Sequence, residues 1–335
     1  MLVGLAYDLK DTLAVTPGCP EDIAEEYDSV ETVNLITASL SSLGHTVLHL
    51  GGGTGFLHNI CSITDIDIVF NISEGRGNHP GREAQVPSVL EMCNIPYTGS
   101  PPQCLSICLN KPLTKQILAA SGIITPKWII IKNEKDLDSI QWEGLRFPLV
   151  AKPAHEGSSI GIHSKSVAYD VNEVKMICES LINSYNQEVM LEEYIHGEEV
   201  TVGIVGFETP QVLGIMGIKP KANQDMFMYS IEVKRDYVNL VDYECPSLLP
   251  EDVLDNIKNI SLKTFNILGC RDMARLDFRL DDSLTPYFIE INPLPGLGNH
   301  SDLVIMSDLL GIKHRKLIDM ILSSACQRYP KCILK

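Results

Sequence analysis

Two short segments near the C-terminal end alternate in polarity residue by residue: Arg275-Leu276-Asp277-Phe278-Arg279 and Phe288-Ile289-Glu290-Ile291-Asn292-Pro293. A strand points successive side chains to opposite faces. Arg275, Asp277 and Arg279 therefore share one face, with Leu276, Phe278 and Leu280 on the other. Glu290 and Asn292 likewise oppose Ile289 and Ile291. If the two strands pair, Asp277, Glu290 and Asn292 converge as three oxygen ligands, a donor set suited to Mg²⁺. The competing reading is a surface salt-bridge ladder. It sits poorly with so much apolar strand, because polar groups on largely buried strands need a partner.

The N-terminal third alternates strand and helix. Leu2–Tyr7, Thr46–Leu50 and Asp67–Ile72 read as strands, and residues 28–43 and 82–93 as helices. That alternation predicts a parallel sheet wrapped by helices. Gly51, Gly52, Gly53 and Gly55 lack the spacing of a dinucleotide loop and are expected to form a plain turn. Ser100-Pro101-Pro102 marks a boundary. Beyond it, residues 111–121 and 250–268 read as helices and residues 127–131, 147–152, 188–194, 199–207, 211–218, 273–280 and 287–291 as strands, followed by a helical tail. Residues 222–243 are polar and poorly periodic, which suits a long covering loop. The expected class is α/β, turning α+β in the C-terminal half, with units at 1–99, 100–190 and 191–335.

The chain has 335 residues, enough for two or three compact units. Forty-three acidic against 27 basic residues give a formal net charge of -16, which disfavours nucleic acid and anionic membrane surfaces as partners. The ten cysteines form no CxxC pair. Cys104 and Cys108 would share a helix face, a pattern more typical of apolar core than of a metal site. No signal peptide or membrane-spanning stretch is visible, so a reduced, cytoplasmic enzyme is expected.

Two further clusters carry chemistry. In Lys152-Pro153-Ala154-His155-Glu156-Gly157-Ser158-Ser159-Ile160-Gly161, a strand-end lysine precedes a loop whose small residues offer close backbone N–H groups to phosphate oxygens. A glycine hairpin with a surface lysine is the bland alternative. In Glu192-Glu193-Tyr194-Ile195-His196-Gly197-Glu198-Glu199, carboxylates flank a glycine turn between apolar strands. Such a connection suits an adenine and its ribose, or else is a solvated acidic turn.

These clusters, with NIPYTGS at 94–100, NKPLTK at 110–115 and EINPLPGLGNHS at 290–301, resemble the ATP-grasp superfamily and most closely the D-alanine–D-alanine ligases, from about Ile72 onward. The resemblance implies an ATP-grasp fold and an acyl-phosphate mechanism. Lys111, Lys152 and, from the covering loop, Lys234 would contact ATP. Glu192 and the backbone of Glu193, Tyr194 and Ile195 would face adenine, and Glu199 the ribose. Asp277, Glu290 and Asn292 would hold Mg²⁺, two ions in all, with Mn²⁺ a substitute. Arg275 would stabilise the transferred phosphoryl and the tetrahedral intermediate, and Gly296 and Ser301 would meet the acceptor's carboxylate and the oxyanion. Ser158 matches a serine near the first substrate. A homodimer acting on a small carboxylate and an amino acid is expected.

Departures from the family gather on the acyl-donor side. Tyr7-Asp8-Leu9-Lys10-Asp11-Thr12 shows no glutamate-bearing glycine loop, Arg235 stands at a tyrosine position, and Ser73-Glu74-Gly75-Arg76 replaces a histidine–glycine loop. Glu74, Arg76, Asp8 or Glu31 are the candidates to replace the lost ammonium ligands. The donor is therefore expected to differ from free D-alanine, with a true D-alanine–D-alanine ligase as the alternative. A phosphotransferase is disfavoured by the acceptor loop, and a non-catalytic regulator by the retention of Arg275 and the metal ligands.

Overall fold

The computed structural model describes residues 1–12, 19–63, 65–222, 226–329 and 332. Residues 223–225 of the expected covering loop, and 330, 331 and 333–335 of the expected tail, lie outside the described residues.

Strand β1 (Leu2–Tyr7) leads to α1 (Val30–Ser42), β2 (Thr46–Gly51), α2 (Gly53–Ser62), β3 (Ile68–Ile72) and α3 (Gln85–Met92). The strands form a parallel sheet in the order β2-β1-β3, with the helices as its crossovers. Ser29 caps α1 by accepting the Thr32 N–H at 3.2 Å. Helix α2 corrects the plain-turn expectation for the glycine run. Its Phe56 and Ile60, four apart on one face, are buried and supply the anchorage that the glycines lack.

The middle stretch contains α4 (Pro102–Leu109), α5 (Lys111–Ala120), β4 (Trp128–Ile131), β5 (Leu149–Pro153), β6 (Val167–Ala168), α6 (Val171–Tyr185) and β7 (Val189–Glu193). Its sheet runs β4-β7-β5-β6 and is antiparallel. Asn110 caps α5 through the Leu113 N–H at 3.1 Å. Helices α4 and α6 add to the elements expected from sequence. Asp170 caps α6 through the Asn172 and Glu173 N–H groups, and Val174, Cys178, Leu181 and Tyr185 bury its inner face.

The last stretch contains β8 (Glu198–Gly206), β9 (Gln211–Pro220), α7 (Ile231–Arg235), α8 (Tyr237–Leu240), β10 (Val241–Glu244), α9 (Glu251–Leu268), β11 (Asp272–Leu280), β12 (Pro286–Asn292), α10 (Asp302–Leu309) and α11 (His314–Gln327). Its antiparallel sheet is ordered β10-β9-β8-β11-β12. The covering segment is thus two short helices and an edge strand rather than an open loop. Helix α11 returns to the first sheet, packing Leu317, Ile318, Ile321 and Leu322 with Val3, Leu5, Val33 and Ile36. The fully buried Asp272 accepts the Gly99 N–H and the Ser324 hydroxyl, each at 2.8 Å, and pairs with Arg328. One carboxylate thereby joins the end of the first unit, the third sheet and the last helix. Among the described residues, no helix is long and apolar enough to cross a membrane.

Candidate active site

The two antiparallel sheets line a common cleft, with Val150, Lys152 and Glu192 on one side and Asp277, Phe278, Arg279 and Glu290 on the other. Lys152, at the end of β5, contacts the buried Glu192. Glu192 also takes Lys115 at 3.0 Å. Burial works to raise Glu192, but Lys115 and Lys152 outweigh it and lower the carboxyl overall. Its carboxylate is therefore committed to two lysines, a more specific arrangement than the expected approach to adenine. Lys115, unassigned by sequence, is fully buried, and burial lowers its ammonium to about 8. Lys111 opens α5, donates to the Glu156 carbonyl and lies 3.8 Å from Glu290. Burial lowers it too, so an anion entering the cleft would be attracted by cations poor in water.

The hairpin between β7 and β8 is organised by Arg279, another residue without a sequence-assigned role. Its guanidinium reaches Glu199 at 2.7 Å, the Ile195 carbonyl at 2.6 Å, the Gly197 carbonyl at 3.0 Å and the Tyr194 hydroxyl at 2.9 Å. The Glu193 carboxylate turns away to Arg146 at 3.0 Å. The Glu193 and Tyr194 N–H groups donate to the Lys127 and Pro148 carbonyls. Burial pushes the Glu199 carboxyl up to about 7 against the pull of Arg279.

Strands β11 and β12 pair as expected, with Asp277 opposite Glu290 and Arg275 opposite Asn292. Arg275 is 8% exposed and reaches Asp277 at 2.8 Å, Glu290 at 3.4 Å and Asp302 at 3.2 Å. Burial works to raise Glu290, but Lys111, Lys152 and Arg275 outweigh it and hold the carboxyl at about 2. Glu290 is thus an ionised oxygen donor across the working pH range. Asp277 also accepts the Thr201 hydroxyl at 2.6 Å, and the Asn292 side-chain oxygen accepts the Leu294 N–H at 2.9 Å. The donor set is all oxygen, which fits a hard divalent ion.

A second, wider cavity of about 560 Å³ adjoins this cleft. Its walls bring together Glu74, Ser158, Lys234, Arg235, Arg275, Asn292, Gly296 and Ser301. Lys234 also lines the first cleft and stacks 5.0 Å over the Tyr229 ring. Tyr229 in turn bonds Asp302 at 2.8 Å and accepts the Ser159 hydroxyl on its carbonyl at 3.2 Å. The covering segment is thereby fastened to both the Ser158-Ser159 loop and the Arg275 cluster. Ser158 and Ser159 hold positive φ of 47 and 60, a backbone cost that is tolerated where surrounding structure fixes the loop.

The donor-side candidates divide. Glu74 lines the wide cavity. Arg76 does not; it pairs with Asp8 at 2.9 Å, bonds Thr12 at 2.9 Å and lies over the Tyr27 ring. Asp8 is buried and accepts the Gly75 N–H at 3.0 Å. Glu31 is exposed at a shallower groove. The sequence reading missed the segment before α1, where Glu25, Glu26 and Asp28 line the cavity. Glu25 holds Arg235 at 2.9 Å and Lys10 at 3.0 Å, so the Arg235 charge is locally balanced. Glu26 accepts the Gly157 N–H and Arg82. Burial and Asp8 push Asp28 up to about 7. Burial, then Glu26, Glu83 and Asp28, hold Glu74 well above the usual carboxylate range. The run Glu25-Glu26-Tyr27-Asp28 directly before the Ser29 cap was the available signal.

The family described as D-ala D-ala ligase C-terminus matches residues 117–323. The chain is 30% identical over 299 residues to a D-alanine–D-alanine ligase of Pseudothermotoga lettingae, covering 89% of this chain and 94% of that protein. It is 34% identical over 259 residues to a D-alanine–D-alanine ligase of Bacillus anthracis, covering 77% of this chain and 80% of that protein. The crystal structure of the D-alanine–D-alanine ligase from Bacillus anthracis complexed with ATP aligns with a TM-score of 0.75 at 27% identity, over 98% of each chain.

Proposed function

This chain belongs to the D-alanine–D-alanine ligase family, with its ATP-grasp fold and ATP-dependent, ADP-forming ligase chemistry, and on that premise we propose which of its residues meet each substrate. The donor is a small amino acid other than free D-alanine, whose ammonium is held by Glu74 and Asp28. The acceptor is a second amino acid whose carboxylate docks at Gly296 and Ser301. The single observation that carries this reading is the wide cavity, where acidic residues of the first unit face Gly296, Ser301, Arg275 and Asn292.

A carboxylate is a poor acyl donor because its leaving group would be oxide. One donor oxygen attacks the γ-phosphorus of ATP, and ADP leaves with the bonding pair. The acceptor nitrogen then attacks the acyl carbon and loses a proton as phosphate departs. Lys111, Lys152 and Lys234 hold the phosphates, and Glu199 holds the ribose. Asp277, Glu290 and Asn292 would hold two magnesium ions, which when bound neutralise phosphate charge. Arg275 steadies the charge that develops on the phosphoryl group and the tetrahedral carbon. The segment carrying Tyr229 and Lys234 shields the acyl phosphate from water. We also propose the divisions 1–99, 100–190 and 191–335 as substrate-side, central and C-terminal units of a cytoplasmic homodimer.

The donor pocket remains altered from the family pattern, but Glu25 changes the consequence of Arg235. A guanidinium already engaged by a carboxylate repels an ammonium less than a bare one. Free D-alanine therefore stands as a second reading for the donor. A donor panel at fixed acceptor, scored by ADP release and product mass, decides between them. A donor lacking an ammonium that outperforms every amino acid would overturn the Glu74 and Asp28 assignment.

Two outcomes follow at this site. In the free protein, burial and Asp8 push Asp28 up to about 7, so it is largely protonated below neutral pH and offers an ammonium less attraction there. The donor KM should fall as pH rises from about 6 to 8, across the Asp28 value of about 7. In Asp28→Asn that step should shrink, and a full-sized step in the variant would sink the idea. At the acceptor, a Cβ on Gly296 would lie 2.8 Å from the Ser301 hydroxyl oxygen. Gly296→Ala should displace that hydroxyl and raise the acceptor KM about 10–100-fold, the worth of one hydrogen bond to a charged group. The ATP KM should stay close to that of the parent enzyme.

A further inference from the structure

We propose that Cys104, Cys108 and Cys270 form a binding site for one soft, thiophilic metal ion of the Cu(I) type. The three sulfurs lie within 4.8 Å of one another. Cys104 Sγ is 3.8 Å from Cys108 Sγ and 3.5 Å from Cys270 Sγ. All three residues are buried, at 1%, 4% and 5% exposure. Metal–sulfur bonds of about 2.3 Å in a trigonal arrangement would place the sulfurs about 4 Å apart, so an ion is accommodated by small side-chain adjustments.

The backbone already gathers the ligands. Cys104 and Cys108 are one turn apart on α4, and Cys270 follows the Gly269 that closes α9. Cys104 lies in the first turn of α4, where the helix N-terminus favours a thiolate; hydrogen bonding with Cys108 and Cys270 favours it most, against burial, and the charge of Arg271 acts in the same direction. Thiolates select soft ions. Structural Zn²⁺ closes its sphere with four ligands, whereas the described residues gather a group of three here, a number suited to Cu(I). The site lies apart from the two substrate cavities. Cys108 shares a small pocket with Lys111 and Glu290, so an ion would tie α4 to the approach of β11 directly behind the proposed nucleotide lysine.

The test uses full-length reduced protein in which the exposed Cys19, Cys61 and Cys93 are replaced by serine. Cu(I) supplied as its acetonitrile complex is titrated against a chromogenic Cu(I) chelator. One ion per chain, an ultraviolet sulfur-to-copper charge-transfer band and a higher melting temperature are expected. Cys108→Ala and Cys270→Ala, each checked by circular dichroism, should bind at least tenfold more weakly. Cys108→Ser and Cys270→Ser stand in wherever an alanine variant does not fold. No copper bound by the folded parent, or affinity undiminished in folded variants at both positions, overturns the proposal.

Discussion

Replacing Arg275 with alanine should lower ligase turnover by about 10³–10⁵-fold, the range seen when an arginine that stabilises phosphoryl-transfer charge is removed. It should also destabilise the protein by about 3–5 kcal/mol, because a buried charge cluster loses its counter-ion. Both effects have one origin. The guanidinium reaches Asp277, Glu290 and Asp302, and its removal leaves three carboxylates on neighbouring strands and a helix start to repel one another. Lys111 and Lys152 still act on Glu290, so the cluster is weakened and not wholly uncompensated. Arg275→Lys separates the two consequences. A lysine restores charge but not the fork that spans three partners, so stability should largely return while turnover stays low. Chemical denaturation and single-turnover ADP formation read the two quantities independently. Wild-type turnover in a folded Arg275→Ala variant would remove the residue from the chemistry.

What the sequence makes legible depends on whether a signal is local. The period-two alternation of residues 275–280 and 288–292 predicts both strands and their polar face, and the pairing of Asp277 with Glu290 follows. Helix α6 carries equally local signals. Asp170 precedes it as a cap, Glu173 follows three residues later, and Val174, Cys178 and Leu181 recur at helical spacing. Helix α4 was hidden by reading Pro101-Pro102 only as punctuation, although proline at a first helical position starts helices readily. The glycine run misled in the other direction. Poor intrinsic helix propensity was overridden by the burial of Phe56 and Ile60.

The donor side was least legible because its groups come together only in three dimensions. Nothing near Arg235 in the chain announces Glu25, 210 residues away. Asp8 and Arg76 looked available as isolated polar residues, yet the fold spends them on each other and on the Gly75 turn. The resemblance proposes Lys111, Lys152, Lys234 and Glu199 for the nucleotide, while Lys115 and Arg279 stand out only through their burial and partners. Both are positioning residues: Lys115 shares Glu192 with Lys152, and Arg279 holds the hairpin that carries Glu199.

That sharing shapes the outcome at Lys152. Lys152→Ala should reduce turnover by about 10²–10³-fold, the usual cost of deleting one preorganised electrostatic group, with little change in fold. Removing a buried cation ordinarily leaves its partner orphaned, but Glu192 keeps Lys115 at 3.0 Å. The carboxylate therefore stays paired, and the strand keeps its ladder to β7. The loss should fall on the nucleotide, since the cation proposed to draw phosphate into the cleft is gone while Lys111 remains 3.8 Å from Glu290. Expected readings are a raised ATP KM, a reduced kcat and a melting temperature within a few degrees of the parent enzyme. The double variant Lys115→Met/Lys152→Ala should differ in kind. Glu192 would then be buried without a counter-charge, and the protein should lose several kcal/mol of stability. Unchanged ATP turnover in folded Lys152→Ala would show that Lys111 and Lys234 suffice for phosphate binding and would withdraw Lys152 from that role.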